Sequence, residues 1–182
     1  MNYAAIKNCD IANGPGVRVS LFVSGCRHHC KGCFNRVAWD FDYGTPFTQE
    51  TIDGILEMLS PGHVKGITLL GGEPFEPENQ PEILNLLQQI NARFPNKTVW
   101  AFSGYLFDKD IAPCKLGDPR ITRALLEHVD VLVDGPFVEA KKDLMLRFRG
   151  SSNQRIIDVK KSLAQNAVVL WEDWQGNKRG ML

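Results

Sequence analysis

The chain has 182 residues, enough for one domain with a substantial core. Lys plus Arg and Asp plus Glu number 21 each, so the zero net charge argues against broad attraction to nucleic acid or to a membrane surface. Hydrophobic residues at 43% and charged residues at 23% are ordinary for a soluble globular protein. The first ten residues, MNYAAIKNCD, lack the apolar core of a signal peptide. No apolar run approaches the roughly 18 residues of a membrane-spanning helix. The expectation is a single cytoplasmic domain over residues 1–182, its tail loose after about residue 163, in a compartment that keeps thiols reduced.

Asn13-Gly14-Pro15-Gly16 forms a turn, and Val17 to Val23 (VRVSLFV) follows as a strand rich in β-branched residues. Arg18, a lone arginine near its start, carries no more signal than a solvated surface charge. Ser24-Gly25 ends the strand and leads into Cys26-Arg27-His28-His29-Cys30-Lys31-Gly32-Cys33, a C-x3-C-x2-C pattern holding three of the five cysteines. Thiolates this close suit a soft metal centre. A [4Fe–4S] cluster normally takes four cysteines, so three would leave one iron open. A Cys3His zinc site completed by His28, His29 or a distant residue is the alternative. An odd cysteine count argues against a disulfide framework. By default His28 and His29 are solvated loop residues, and Cys9 and Cys114 plain thiols.

Thr48 caps a helix carrying Ile52, Ile55, Leu56 and Leu59 at helical spacing, which Pro61-Gly62 stops. Gly66 to Leu70 is a short buried strand ending in Gly71-Gly72-Glu73-Pro74. The two glycines permit close approach by a ligand, and Glu73 offers a carboxylate to an ammonium group. Gln80 to Phe94 is an amphipathic helix with Ile83, Leu84, Leu87 and Ile90 inward. Thr98 to Phe102 is a strand ending in Ser103-Gly104-Tyr105. Asp118-Pro119 opens a helix through Leu126, and Val129 to Val133 is a strand ending at Asp134, which either faces the site or closes a turn. Arg147 to Arg155 is a polar, charged run, solvated by default, and Ile156 to Val159 is a last short strand. Alternating strands and helices imply a parallel sheet with the informative loops on one face. Four such units predict an α/β fold, a partial, open (β/α) barrel of parallel strands.

The three cysteines one crossover from a Gly-Gly-Glu-Pro turn resemble the radical S-adenosylmethionine (radical SAM) superfamily. Within it the chain is most similar to the glycyl-radical-enzyme activases that serve the anaerobic (class III) ribonucleoside-triphosphate reductase. That resemblance rests on Asn13-Gly14-Pro15-Gly16-Val17-Arg18, Leu21 to Cys26, Gly32-Cys33-Phe34-Asn35, Ser103-Gly104-Tyr105, Val133-Asp134-Gly135 and Arg149-Gly150-Ser151-Ser152-Asn153-Gln154. It implies a [4Fe–4S] cluster on Cys26, Cys30 and Cys33 whose fourth iron is chelated by S-adenosyl-L-methionine. Gly32, Cys33, Phe34, Gly71, Gly72, Glu73 and Pro74 would surround that cofactor. It further implies reductive cleavage to a 5′-deoxyadenosyl radical, which takes hydrogen from a glycine of the reductase large subunit. The electron would come from a donor such as flavodoxin, with no part for nucleic acid or membrane. An activase of the pyruvate formate-lyase type and a zinc-stabilised binding module are the other candidates. Glu73 stands where this group often has Asp, and Gly32 where many superfamily members have an aromatic.

Overall fold

A computed structural model describes residues 1–172. Its elements are strands β1 (Asn2–Asp10), β2 (Val17–Val23) and β3 (Thr45–Pro46), helix α1 (Gln49–Leu59), strand β4 (Val64–Gly71) and helix α2 (Gln80–Arg93). Then follow strand β5 (Thr98–Phe102), helix α3 (Pro119–His128), strands β6 (Val131–Asp134) and β7 (Arg155–Asp158), and helix α4 (Val159–Gln165). The seven strands form one sheet in the order β3-β1-β2-β4-β5-β6-β7. β2, β4, β5 and β6 pair in parallel, as the sequence led us to expect. The sheet is nevertheless mixed, because β1 and β3 add an antiparallel edge and β7 runs antiparallel to β6. The expectation of parallel strands throughout is corrected accordingly.

Helix starts follow their local chemistry. Thr48 and Thr51 exchange side-chain and backbone bonds in a capping box, and the Asp118 carboxylate accepts from the Arg120 amide ahead of α3. On α2 the buried apolar residues are Ile83, Leu86, Leu87 and Ile90, so Leu86 replaces the expected Leu84, which is only partly buried.

Strand alternation gives the sheet two faces. Val19, Leu21, Val23, Ile67, Leu69, Val99, Ala101 and Leu132 join the main core with the buried sides of α1, α2 and α3. The opposite face carries Arg18, Ser20, Phe22, Thr68, Leu70, Trp100 and Phe102, the intervening residues of the same strands. Arg18 is therefore not a surface charge but 1% exposed. Its guanidinium donates to Thr68 Oγ1 at 2.8 Å, Thr98 Oγ1 at 3.0 Å, and the carbonyls of Ile67 and Thr98 at 2.6 and 2.8 Å. Burial pulls its pKa down to about 10, against the opposing charge of Asp130. Four donors inside a fixed fork cross-tie β2, β4 and β5.

The C-terminal region is docked further than expected. Residues 169–171 run beside β7, with the Trp171 amide donating to the Ile156 carbonyl at 2.9 Å. The Trp171 indole meets Trp100 edge-on at 5.0 Å, and Phe148 meets the same ring at 5.5 Å. The chain through Trp171 is thus tied to the sheet, and the part of the loose-tail expectation that falls on residues 173–182 lies outside the described residues. Asp134 is fully buried and closes a structural cluster: Arg155 donates to it at 2.9 Å through Nε and 2.5 Å through Nη2. The same Nη2 reaches Asp108 at 2.6 Å, so this end of the charged run is paired rather than solvated.

Candidate metal and cofactor site

The cysteine loop follows β2, the Gly-Gly-Glu-Pro turn follows β4, and Ser103-Gly104-Tyr105 follows β5. Because these strands are parallel neighbours, their carboxyl ends bring all three loops to one edge of the sheet. Cys26 is buried, while Cys30 and Cys33 are half-buried. The loop is pinned at its start by the amides of Gly25 and Cys26, which donate to Ala38 and Trp39 carbonyls at 2.9 and 3.1 Å. The His29 ring stacks on Trp39 at 4.6 Å while remaining exposed, in keeping with its expected place in the loop. The Asn35 amide points at Cys33 Sγ, 3.4 Å away, a contact of the kind that tunes a metal-bound sulfur.

The turn after β4 is stitched to the cysteine loop by main-chain bonds. Gly72 donates to the Val23 carbonyl at 2.7 Å and Glu73 to the Gly25 carbonyl at 2.8 Å. A Cβ on Gly72 would lie 2.6 Å from the Gly25 oxygen and 2.9 Å from the Ala38 oxygen. The bareness of this glycine therefore admits the protein's own backbone, while the residue also lines the cavity beneath the loops. Gly72→Ala is expected to cost about 2 kcal/mol through overpacking. At about 2–4 °C per kcal/mol, thermal melting should fall by roughly 4–8 °C. A melting curve superimposable on the wild type would contradict this packing account.

Glu73, 1% exposed, is the point where the three loops meet. One carboxylate oxygen accepts from the Phe75 amide and the Ser103 hydroxyl, both at 2.9 Å. The other accepts from the Gly104 amide at 2.7 Å and lies 3.0 Å from His28 Nε2. Both oxygens thus have protein partners, which makes Glu73 a tie between loops as well as a residue of the cavity lining. His28 is correspondingly not a solvated loop residue: its side chain is 18% exposed, and its ring packs against Tyr105 at 4.3 Å. Burial alone would lower the His28 pKa, but the bond to Glu73 and its charge, with Glu76 and Asp110, carry it above the usual imidazole value. Arg27 adds an outer brace through Glu76 at 2.6 Å, and its own amide donates to Glu76 at 2.8 Å.

Beneath these loops lies a cavity of about 450 Å³, in the range of small-molecule sites. Cys26, Cys30 and Cys33 line one side, and Gly71, Gly72 and Glu73 another. Gly32 and Phe34 also border it, although the Phe34 side chain is 84% exposed. Pro74 is buried in the turn and does not reach the cavity. Leu70, Phe102 and Phe148 supply apolar wall, and Asn13, Ser103 and Gln154 join it from stretches that carried the family resemblance. His28 was legible only as a residue type; its role needed the spatial neighbour.

The donor set is chemically specific. Burial pushes the Cys26 thiol up to about 12, with Glu73, Glu76 and Cys30 adding to the rise. Burial likewise raises Cys30. A metal must therefore displace protons to bind. Among the described residues no three His, Cys, Asp or Glu side chains are grouped for a single ion. A polynuclear iron–sulfur cluster, which spreads its thiolates over several metal atoms, fits three cysteines bordering one cavity.

Comparison with known proteins gives the same chemistry. Residues 12–157 match the family described as a 4Fe-4S single cluster domain. An anaerobic ribonucleoside-triphosphate reductase-activating protein of Escherichia coli (strain K12) is 44% identical over 156 residues, covering 85% of this chain and 96% of that one. The protein of the same name from Enterobacteria phage T4 is 42% identical over 158 residues, covering 86% and 93%. That of Vibrio cholerae is 41% identical over 158 residues, covering 86% and 97%. At this identity, and over nearly the full length of those relatives, the chain belongs to the 4Fe-4S single-cluster family and, within it, to the group of anaerobic ribonucleoside-triphosphate reductase-activating proteins.

Proposed function

We propose that this chain is a radical S-adenosylmethionine activase whose client is the anaerobic ribonucleoside-triphosphate reductase. The observation that carries the reading is one cavity bordered both by the three thiols of C-x3-C-x2-C and by the turn Gly71-Gly72-Glu73. Cys26, Cys30 and Cys33 would hold the [4Fe–4S] cluster and leave one iron open for S-adenosylmethionine. Gly71, Gly72 and Glu73, with Gly32 and Phe34 beside them, would border its methionine end. When bound, the cluster would supply the electron for reductive cleavage of the sulfonium, and the resulting 5′-deoxyadenosyl group would take hydrogen from a glycine Cα of the client. The protein's own work is orientation and exclusion of water. Leu70, Phe102 and Phe148 make the cavity wall apolar, and the Glu73 hub fixes the loops around it.

Four adjacent parallel strands with helices on one face and the cavity on the other support a partial, open barrel of the radical SAM type as the finer fold reading. One domain spanning residues 1–182 accords with a single main core drawn from β2 through α4. Support for a protein client comes from the relatives' name and from apolar surface at the cavity mouth, where Phe34 and Leu144 are 84% and 88% exposed. An external one-electron donor such as a flavodoxin would reduce the cluster. No helix among the described residues is long and apolar enough to cross a membrane, and we place the reaction in the cytoplasm.

The test is anaerobic reconstitution with iron and sulfide, followed by a strong reductant, S-adenosylmethionine and the reductase. The expected result is 5′-deoxyadenosine together with a glycyl EPR doublet on the reductase. Absence of 5′-deoxyadenosine would sink the radical reading. Cleavage without a glycyl signal on that client would sink the client assignment alone.

A further inference from the structure

Three loops, after β2, β4 and β5, meet at the Glu73 carboxylate, and their donors differ in what they connect. Phe75 belongs to Glu73's own turn, while Ser103 and Gly104 bring in the loop after β5. His28 alone of these donors lies inside the C-x3-C segment, between two of the three thiols. Its ring also has a fitted seat. A Cβ on Gly104 would stand 2.5 Å from its Cδ2 and 2.6 Å from its Nε2, so only glycine there leaves room for the imidazole. Tyr105 closes on the ring edge-on at 4.3 Å.

We infer that His28 is a positioning residue whose bond to Glu73 sets the spacing between the cysteine loop and the loops after β4 and β5, and thereby the reach of S-adenosylmethionine to the open iron. This rests on the function proposed above and extends it. A ligand held by iron at one end and by the Gly-Gly-Glu edge at the other must satisfy both anchors at once. Supporting residues of this kind hold such geometry to within about 0.5 Å. The tie is separable from cluster loading. The loop keeps its main-chain bonds at Gly25 and Cys26 and its Arg27–Glu76 brace when His28 is removed. All three thiols also remain.

The test uses the full chain, anaerobically reconstituted. Three quantities are read: iron and sulfide content, the Kd for S-adenosylmethionine, and the change that this ligand makes in the EPR spectrum of the reduced cluster. His28→Ala is expected to keep wild-type iron and sulfide, to raise Kd about tenfold, as losing an outer partner of a metal site does, and to blunt the ligand-dependent EPR change. His28→Gln, which restores an N–H donor, should recover most of both. Gly104→Ala, far from the thiols in sequence, should raise Kd comparably by displacing the ring. In the His28→Ala background the same methyl enters vacated space and should add nothing, a non-additivity that marks one shared contact. Wild-type Kd and EPR response in His28→Ala would overturn the inference, as would loss of the cluster in that variant or additive effects of the two changes. Failure of the wild-type protein itself to bind S-adenosylmethionine would instead remove the proposed function on which the inference stands.

Discussion

Replacing Cys26, a proposed cluster ligand, by serine is expected to abolish the iron–sulfur chromophore and, with it, the proposed cleavage of S-adenosylmethionine. The residue is 9% exposed just beyond β2, its amide is fixed to the Trp39 carbonyl, and neither Cys9 nor Cys114 lines the cavity to replace it. A serine oxygen is a hard donor, harder still to deprotonate at a position where burial and two nearby carboxylates already push a thiol up to about 12. Loss of a direct ligand should exceed the roughly 10–100-fold weakening that follows loss of an outer partner. Cys9→Ser and Cys114→Ser serve as controls: neither residue lines the cavity, and both variants should keep full iron, sulfide and cleavage. Iron and sulfide assays with far-UV circular dichroism decide the matter. A folded Cys26→Ser protein with undiminished cluster would remove Cys26 from the ligand set.

The second large effect is on stability. Arg155→Ala strands the fully buried Asp134 carboxylate, leaving it, among the described residues, only the Phe107 amide at 2.7 Å. Breaking a buried pair by removing one partner typically costs about 3–5 kcal/mol. Since the Arg155 side chain is 31% exposed, the lower end, about 3 kcal/mol, is expected. Melting should fall by roughly 6–12 °C, at about 2–4 °C per kcal/mol for a chain of this size. Arg155→Lys, unable to engage both Asp134 oxygens and Asp108 at once, should lose about half as much. Adding Asp134→Asn to Arg155→Ala should restore part of the loss by removing the stranded charge. Denaturant unfolding of the four proteins measures this, and an Arg155→Ala midpoint equal to wild type would show the pair to be energetically idle.

The parallel strands and the loops that follow them were legible because their signals are local. VRVSLFV, GITLL and TVWAF are short stretches rich in apolar and β-branched residues and followed by small ones, and three cysteines in eight positions announce a soft metal centre unaided. What escaped depends on partners distant in sequence. β1 is a half-buried, weakly patterned stretch, NYAAIKNCD, that becomes a strand by pairing with β2 and β3. Arg18 looks like any surface arginine until β4 and β5 supply four acceptors. His28 reads as an ordinary loop histidine because its partner Glu73 lies 45 positions away. The antiparallel sense of β7 was equally invisible, since four residues carry no information about direction.

The stitching of the cysteine loop to β4 has a thermodynamic consequence. The bonds from Gly72 and Glu73 to the Val23 and Gly25 carbonyls, and from Gly25 and Cys26 to Ala38 and Trp39, use no sulfur atom. None of them requires the thiols to be ligated. Small zinc domains spend metal-binding energy on folding and collapse when a chelator takes the metal. Here the chain should release iron to a chelator while keeping slow amide hydrogen exchange at Gly72 and Glu73, and refill without passing through an unfolded state. Cluster loss in air would then be a reversible injury to the cofactor, with the scaffold left standing to be recharged.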